Sequence, residues 1–206
     1  MISDLQRILI TRDQIDRRVG ELAREIARTY AGDQDAGITI VTILSGSLVF
    51  LADLIRQLPF RMKIGLITVS SYRGATTRPG AARIDLEMNL DVAGRHVLIV
   101  DDILDTGGTL RLVRERVTAG GAKTTRTCVL LRKPAKAPSD VPADFVGFDI
   151  ADDFVVGYGL DYNDYYRNLP DIGVLRPEFH KSEVSREEGP SHDERPKPTR
   201  DHRVTG

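Results

Sequence analysis

The sequence predicts an α/β fold, a mostly parallel twisted sheet with helices on both faces. Segments such as "ITIVTIL" (38–44) and "HVLIVDD" (96–102) are strand-like runs too apolar to leave a face in water. Segments such as "TRDQIDRRVGELAREIARTY" (11–30) carry apolar residues at steps of three or four, the period of a helix with one buried stripe. The two kinds alternate along the chain, as a parallel sheet with crossover helices requires.

The first helix places Ile15, Val19, Leu22, Ile26 and Tyr30 on one face and charges on the other. "ITIVTIL" follows as a buried strand, and "SGS" separates it from the helical period of "LVFLADLIRQL" (48–58). "MKIGLITVS" (62–70) reads as the next strand. Residues 71–83, "SYRGATTRPGAAR", form a polar loop with solvated arginines Arg73, Arg78 and Arg83, and "IDLEMNLDV" alternates like a half-exposed strand. After "HVLIVDD", the helix "TLRLVRERV" ends at the paired glycines Gly120 and Gly121. "KTTRTCVLL" is a further strand, and "DFVGFDI" and "DFVVGYGL" are short ones.

These elements fill residues 1–176, one domain. Residues 177–206 are rich in charge and proline and almost free of aliphatic residues, so they are expected to be a disordered tail. No run approaches the ~20 apolar residues of a membrane span, and no signal peptide is read at the start. A single cysteine, Cys128, excludes an internal disulfide and a multi-cysteine zinc site, which fits a cytoplasmic protein. The net charge of −1 gives no basic excess for nucleic acid. Of the four histidines only His96 lies in the body of the chain, which argues against a catalytic histidine.

The chemistry is concentrated in "VLIVDDILDTGGTL" (97–110). Open parallel sheets bind ligands beyond the carboxyl ends of their strands, and Asp101 and Asp102 occupy that edge. Because the edge opens onto the ligand crevice, the acids there need not be truly buried. Asp105, Thr106, Gly107, Gly108 and Thr109 lead into a helix, so backbone N–H groups and hydroxyls converge at a positive helix end, a phosphate cradle. Asp105 is also placed to cap that helix. Acids beside such a cradle suit a ligand with phosphate and sugar hydroxyls, with a divalent cation nearby.

The block resembles the phosphoribosyl-pyrophosphate (PRPP) signature of the type I phosphoribosyltransferases. "ILSGSLVFLADL", "SSY", "LLRKP" and "DFVGFDIADDFVVGYGLDYNDYYRNLPDIGVL" extend the likeness to the hypoxanthine-guanine phosphoribosyltransferases over roughly residues 5–175. The resemblance implies the type I phosphoribosyltransferase fold with a small hood subdomain, and a purine-salvage reaction of PRPP with hypoxanthine and guanine that gives IMP or GMP and pyrophosphate. Asp101 and Asp102 would hold the ribose hydroxyls or waters of a bound Mg²⁺, Asp105 to Thr109 the 5′-phosphate, and Asp105 would act as general base. Lys133 would contact the purine O6, Phe154 stack on the ring, and the Val155 backbone read its edge. Asp161 would bind a second Mg²⁺ beside the purine, and Ser45, Gly46 and Arg167 the pyrophosphate. Ser71 and Tyr72 would close as a lid.

Ser45 departs from the family, which often has lysine there, and a family non-proline cis bond would map to Leu44–Ser45. Without the likeness, "RKP" reads as an exposed basic turn and "LDYNDYYR" as a capped short helix with a solvated arginine. The resemblance further implies a homodimer or homotetramer. The competing class is a PRPP-sensing, nucleic-acid-binding regulator on the same fold.

Overall fold

The structure is a computed structural model that describes residues 1–32, 37–68 and 92–180. Ser71, Tyr72, the loop arginines, the strand expected at "IDLEMNLDV" apart from Val92, and the tail beyond His180 lie outside the described residues.

Strand β1 (Leu5–Ile10) leads into helix α1 (Arg12–Thr29). Thr11 and Gln14 form a reciprocal capping box that starts the helix, with the Thr11 N–H donating to Gln14 Oε1 at 2.8 Å. The stripe expected from the sequence is the one buried: Ile15, Val19, Leu22, Ile26 and Tyr30 are fully enclosed. Then follow β2 (Ile38–Leu44), α2 (Leu48–Ile55), β3 (Met62–Thr68), β4 (His96–Leu104), α3 (Gly108–Ala119), β5 (Thr124–Arg132) and β6 (Phe145–Asp149). Two short strands, β7 (Val155–Val156) and β8 (Ile172–Leu175), precede a helical turn, α4 (Pro177–His180). That turn lies in the segment which composition assigns to the tail.

Strands β2 to β6 make one parallel sheet in the order β3-β2-β4-β5-β6. It is covered on both faces, as expected. Leu98, Val100, Cys128 and Leu130 pack with α1 and α2, whereas Val97, Ile99 and Val129 pack with α3. The order reverses between β2 and β4, so the loops after these two strands diverge to opposite faces and leave a crevice between them. Both sequence-predicted ligand loops, the one at Ser45 and the one at Asp101–Thr109, leave from that point.

The second sheet is antiparallel, β1-β8-β7, and shares a core with α1 and α2 through Ile10, Val155, Ile172 and Val174. It is a small separate unit, in keeping with the hood subdomain the resemblance implied. The strand expected over "DFVVGYGL" stops at Val156, because Gly157, Tyr158 and Gly159 all take positive φ. "LDYNDYYR" is not a helix either. Asn163, Asp164 and Tyr166 take positive φ, and Tyr162 bridges Tyr165 across a tight turn.

Candidate active site

A cavity of about 420 Å³ sits at the switch point. The β2 loop contributes Leu44, Ser45 and Gly46 to its lining, the end of β4 and the start of α3 contribute Asp101–Ile103 and Asp105–Leu110, and Asp161 and Arg167 reach in from the segment before β8. The sequence-predicted sugar-phosphate and pyrophosphate residues are therefore brought together. Four of the lining side chains are carboxylates, and Arg167 is the lining cation.

The end where the sequence predicts a phosphate is built by backbone. Gly107, the N-cap of α3, has φ +70°, and no side chain caps the helix. The first-turn N–H groups thus face the cavity without a side-chain acceptor, as an anion site requires. This corrects the expectation that Asp105 caps the helix. A Cβ on Gly107 would lie 2.9 Å from Pro138 Cγ in a left-handed conformation, so glycine is needed there. Gly108 would meet nothing within 4 Å. On the facing loop, a Cβ on Gly46 would fall 1.7 Å from Asp102 Oδ2. Only a bare backbone lets this loop approach the carboxylate. The Leu44–Ser45 peptide bond is cis, as the resemblance implied.

Asp101 is only 7 % exposed, so the carboxyl end of β4 is less open than expected. The Asp102 N–H donates to Asp101 Oδ1 at 3.0 Å, and the Ile103 N–H donates to Asp102 Oδ1 at 2.8 Å. Burial pushes the Asp101 carboxyl well above the usual range, and the adjacent Asp102 charge pushes it further. Burial raises Asp102 as well, offset in part by its hydrogen bonds and by Arg167. Hard carboxylate oxygens that resist ionisation side by side are a donor set a divalent cation relieves. Among the described residues no three His, Cys, Asp or Glu side chains form a preassembled cluster. Asp161 is instead engaged by Arg167, 2.8 Å away.

The end where the sequence predicts the base is built by ion pairs. Lys133 is buried, not an exposed turn residue, and its Nζ lies 3.1 Å from Asp105 Oδ2 and 3.1 Å from Asp152 Oδ1. Lys136 reaches the same two acids, at 2.8 Å from Asp152 and 3.9 Å from Asp105. Two Lys–Asp pairs from distant segments thus close on one another beside the cavity. Asp152 and Lys136 are missed by sequence reasoning; the signal available was a second lysine three residues after Lys133 and an acid two residues before Phe154. Lys133, Phe154 and Val155 do not line the cavity themselves, and Lys133 meets its edge through Asp105. Phe154 is 38 % exposed, while Val155 is buried in β7.

Arg167 is not solvated: Nη1 donates to the Gly159 carbonyl at 2.8 Å, and Nη2 donates to Asp164 Oδ1 at 2.9 Å. His96 is buried at the opposite end of β4, with Nδ1 2.8 Å from Thr124 Oγ1, outside this chemistry.

The phosphoribosyl transferase domain model matches residues 11–163. A hypoxanthine-guanine phosphoribosyltransferase of Bacillus subtilis is 40% identical over 182 residues, 88% of this chain and 99% of that protein. The chain belongs to this phosphoribosyltransferase family. A Mycobacterium avium hypoxanthine-guanine phosphoribosyltransferase is 39% identical over 86% of this chain and 89% of its own length. A solved hypoxanthine phosphoribosyltransferase from Staphylococcus aureus superposes with a TM-score of 0.79 at 38% identity, covering 87% of this chain and 96% of that one. The fold, the crevice and the transferase class all agree with membership in the family.

Proposed function

We propose that this chain transfers the 5-phosphoribosyl group of PRPP to N9 of hypoxanthine and of guanine, giving IMP or GMP and pyrophosphate in purine salvage. One observation carries the reading: a helix terminus built for phosphate opens into the same crevice as a carboxylate held 3.1 Å from a buried lysine. The first suits the 5′-phosphate, and the second suits a base that must give up a proton while its carbonyl is held.

In this reading N9 forms a bond to the anomeric carbon as the bond from that carbon to the pyrophosphate oxygen breaks. Asp105 accepts the proton from N7, and its negative charge favours the cationic ribose of the transition state. Lys133 leaves its acid partners to donate to O6. An adenine amino group offers only a donor there and leaves the ammonium without an acceptor. Phe154 stacks on the ring, and the Val155 backbone reads the purine edge. Asp101 and Asp102 hold the ribose hydroxyls; Ser45, Gly46 and Arg167 hold the pyrophosphate. Ser71 and Tyr72, outside the described residues, are the proposed lid.

Mg²⁺ fits the acids of the crevice: Asp101 and Asp102 would hold one ion and Asp161 a second, together with ligand oxygens, and bound Mg²⁺ would neutralise the pyrophosphate as it leaves. Residues 1–176 carry this activity, in the cytoplasm, where Cys128 stays a buried thiol. Among the described residues no helix is long and apolar enough to cross a membrane. Assembly as a homodimer or homotetramer is supported by β3, at the edge of the described sheet, which exposes Ile64 and Leu66. The regulator alternative finds no support in relatives that carry a transferase name over most of this chain.

The test is nucleotide formation from PRPP and Mg²⁺ with hypoxanthine, guanine, xanthine and adenine in turn. Hypoxanthine and guanine should react. Turnover with adenine alone would overturn the assignment of Lys133.

A further inference from the structure

Phe154 is held more firmly than an exposed phenylalanine needs to be. Its carbonyl accepts the Leu175 N–H at 2.9 Å, and the preceding Asp153 pairs with Arg7 of β1 at 2.5 Å, so this stretch is tied to β8 and to β1 of the small sheet. Its ring and that of Tyr162 pair nearly perpendicular, with centroids 5.6 Å apart and planes at 86°. One face of the ring is covered by the imidazole of His180, with centroids 4.6 Å apart and planes inclined by 12°. The turn that carries His180 is itself fastened to the start of the chain, since the Arg176 N–H donates to the Asp4 carbonyl at 3.1 Å and Arg176 Nε donates to the Leu5 carbonyl at 3.2 Å.

A flat ring has two faces. Asp105 and Lys133 stand just past the ends of β4 and β5 of the parallel sheet, the side from which the proposed reading brings the base. His180 comes from the turn that follows β8 of the small sheet. We infer that His180 is a positioning residue for the purine, backing one face of Phe154 so that the other is presented to the base at a fixed tilt. The inference rests on the proposed role of Phe154. It assigns a purpose to a residue in the segment which composition reads as tail, where no chemistry was expected.

Removal of His180 leaves the phenyl ring without its stacked partner and free to tilt, which costs base binding and leaves the phosphate half untouched. The experiment measures kcat and the KM for hypoxanthine and for PRPP in the full chain and in His180→Ala, His180→Leu and His180→Phe, with thermal melts to confirm folding. His180→Ala and His180→Leu should raise the hypoxanthine KM about three- to tenfold, with kcat and the PRPP KM within about twofold. His180→Phe should restore the hypoxanthine KM, because it returns a ring. Leucine supplies bulk without a ring and separates stacking from filling space. An unchanged hypoxanthine KM, or a KM lost equally in the phenylalanine variant, overturns the inference. A fall in KM also overturns it, by placing His180 on the face the base uses. If the unsubstituted chain turns over none of the purines, the proposed function fails and takes this inference with it; if it is active, failure here touches His180 alone.

Discussion

The two halves of the crevice are built in opposite ways. The half proposed for phosphate comes from one contiguous stretch, Asp101 to Thr109, and offers backbone N–H donors left open at an uncapped helix start. The base half is gathered from residues far apart in the chain, and its groups are already engaged: Lys133 with Asp105 and Asp152, and Phe154 with His180 and Tyr162. One half is ready to receive a ligand, and the other must exchange partners to do so. Sugar-phosphate binding should therefore be fast and insensitive to side-chain changes outside the loop. Base binding should respond to every partner of Lys133 and Phe154.

Substitutions can break this contrast at graded strengths. Asp105→Asn should lower kcat by about 10²- to 10⁴-fold, the usual worth of a positioned general base, while PRPP binding by calorimetry stays nearly unchanged. Turnover near the unsubstituted level would remove Asp105 as the base. Lys133→Ala should raise the hypoxanthine KM by about 10- to 100-fold, the value of a hydrogen bond to a charged donor, and leave the PRPP KM within a few-fold. A matching loss in both constants would show that the two halves are not separable. Gly107→Ala should weaken PRPP binding about tenfold, because the left-handed turn costs ~1–2 kcal/mol and Pro138 crowds the new methyl. Gly94→Ala, at another left-handed glycine outside the crevice whose added Cβ meets nothing within 4 Å, should leave PRPP binding within about twofold, and an equal loss there would refute the backbone account of the cradle.

The smallest effect concerns stability. Asp101 has a raised carboxyl in the folded chain, so the folded state favours its protonated form. That preference stabilises the protein at low pH and is lost as pH rises through the folded value. Asp101→Asn should therefore raise Tm by about 2–4 °C at pH 7–8 without divalent cation, a change of ~1 kcal/mol, and the gain should vanish below pH ~4, where both states are protonated. A Tm difference independent of pH would contradict the burial argument.

The legibility of the molecule in its sequence follows the same division. The parallel sheet and the cradle rest on local patterns, since apolar runs, helical period and a D-T-G-G-T turn are all written within a few residues of one another. The small sheet is a different matter. Strand β1 pairs with β8, for example Leu5 with Leu175, and neither run is long or apolar enough to announce itself. Resemblance to the family implied a hood subdomain, but neither it nor periodicity named these two strands. Arg167 looked solvated because its partners, the Gly159 carbonyl, Asp161 and Asp164, meet it only once the chain turns through several positive-φ residues. Likewise nothing local says that Lys133 is buried between two acids, one 28 residues before it and one 19 residues after it.

The pairing of β1 with β8 also sets a timetable. A chain growing on the ribosome makes the phosphate loop and its sheet partners well before residue 172 exists, yet β1 has no other strand beside it among the described residues. Its first strand must wait for nearly the last. Ile172 and Val174 of β8 also belong to the core beneath α1 and α2, so the main body closes only when the last strand arrives, and a chain cut before residue 172 would lack both that strand and part of the core.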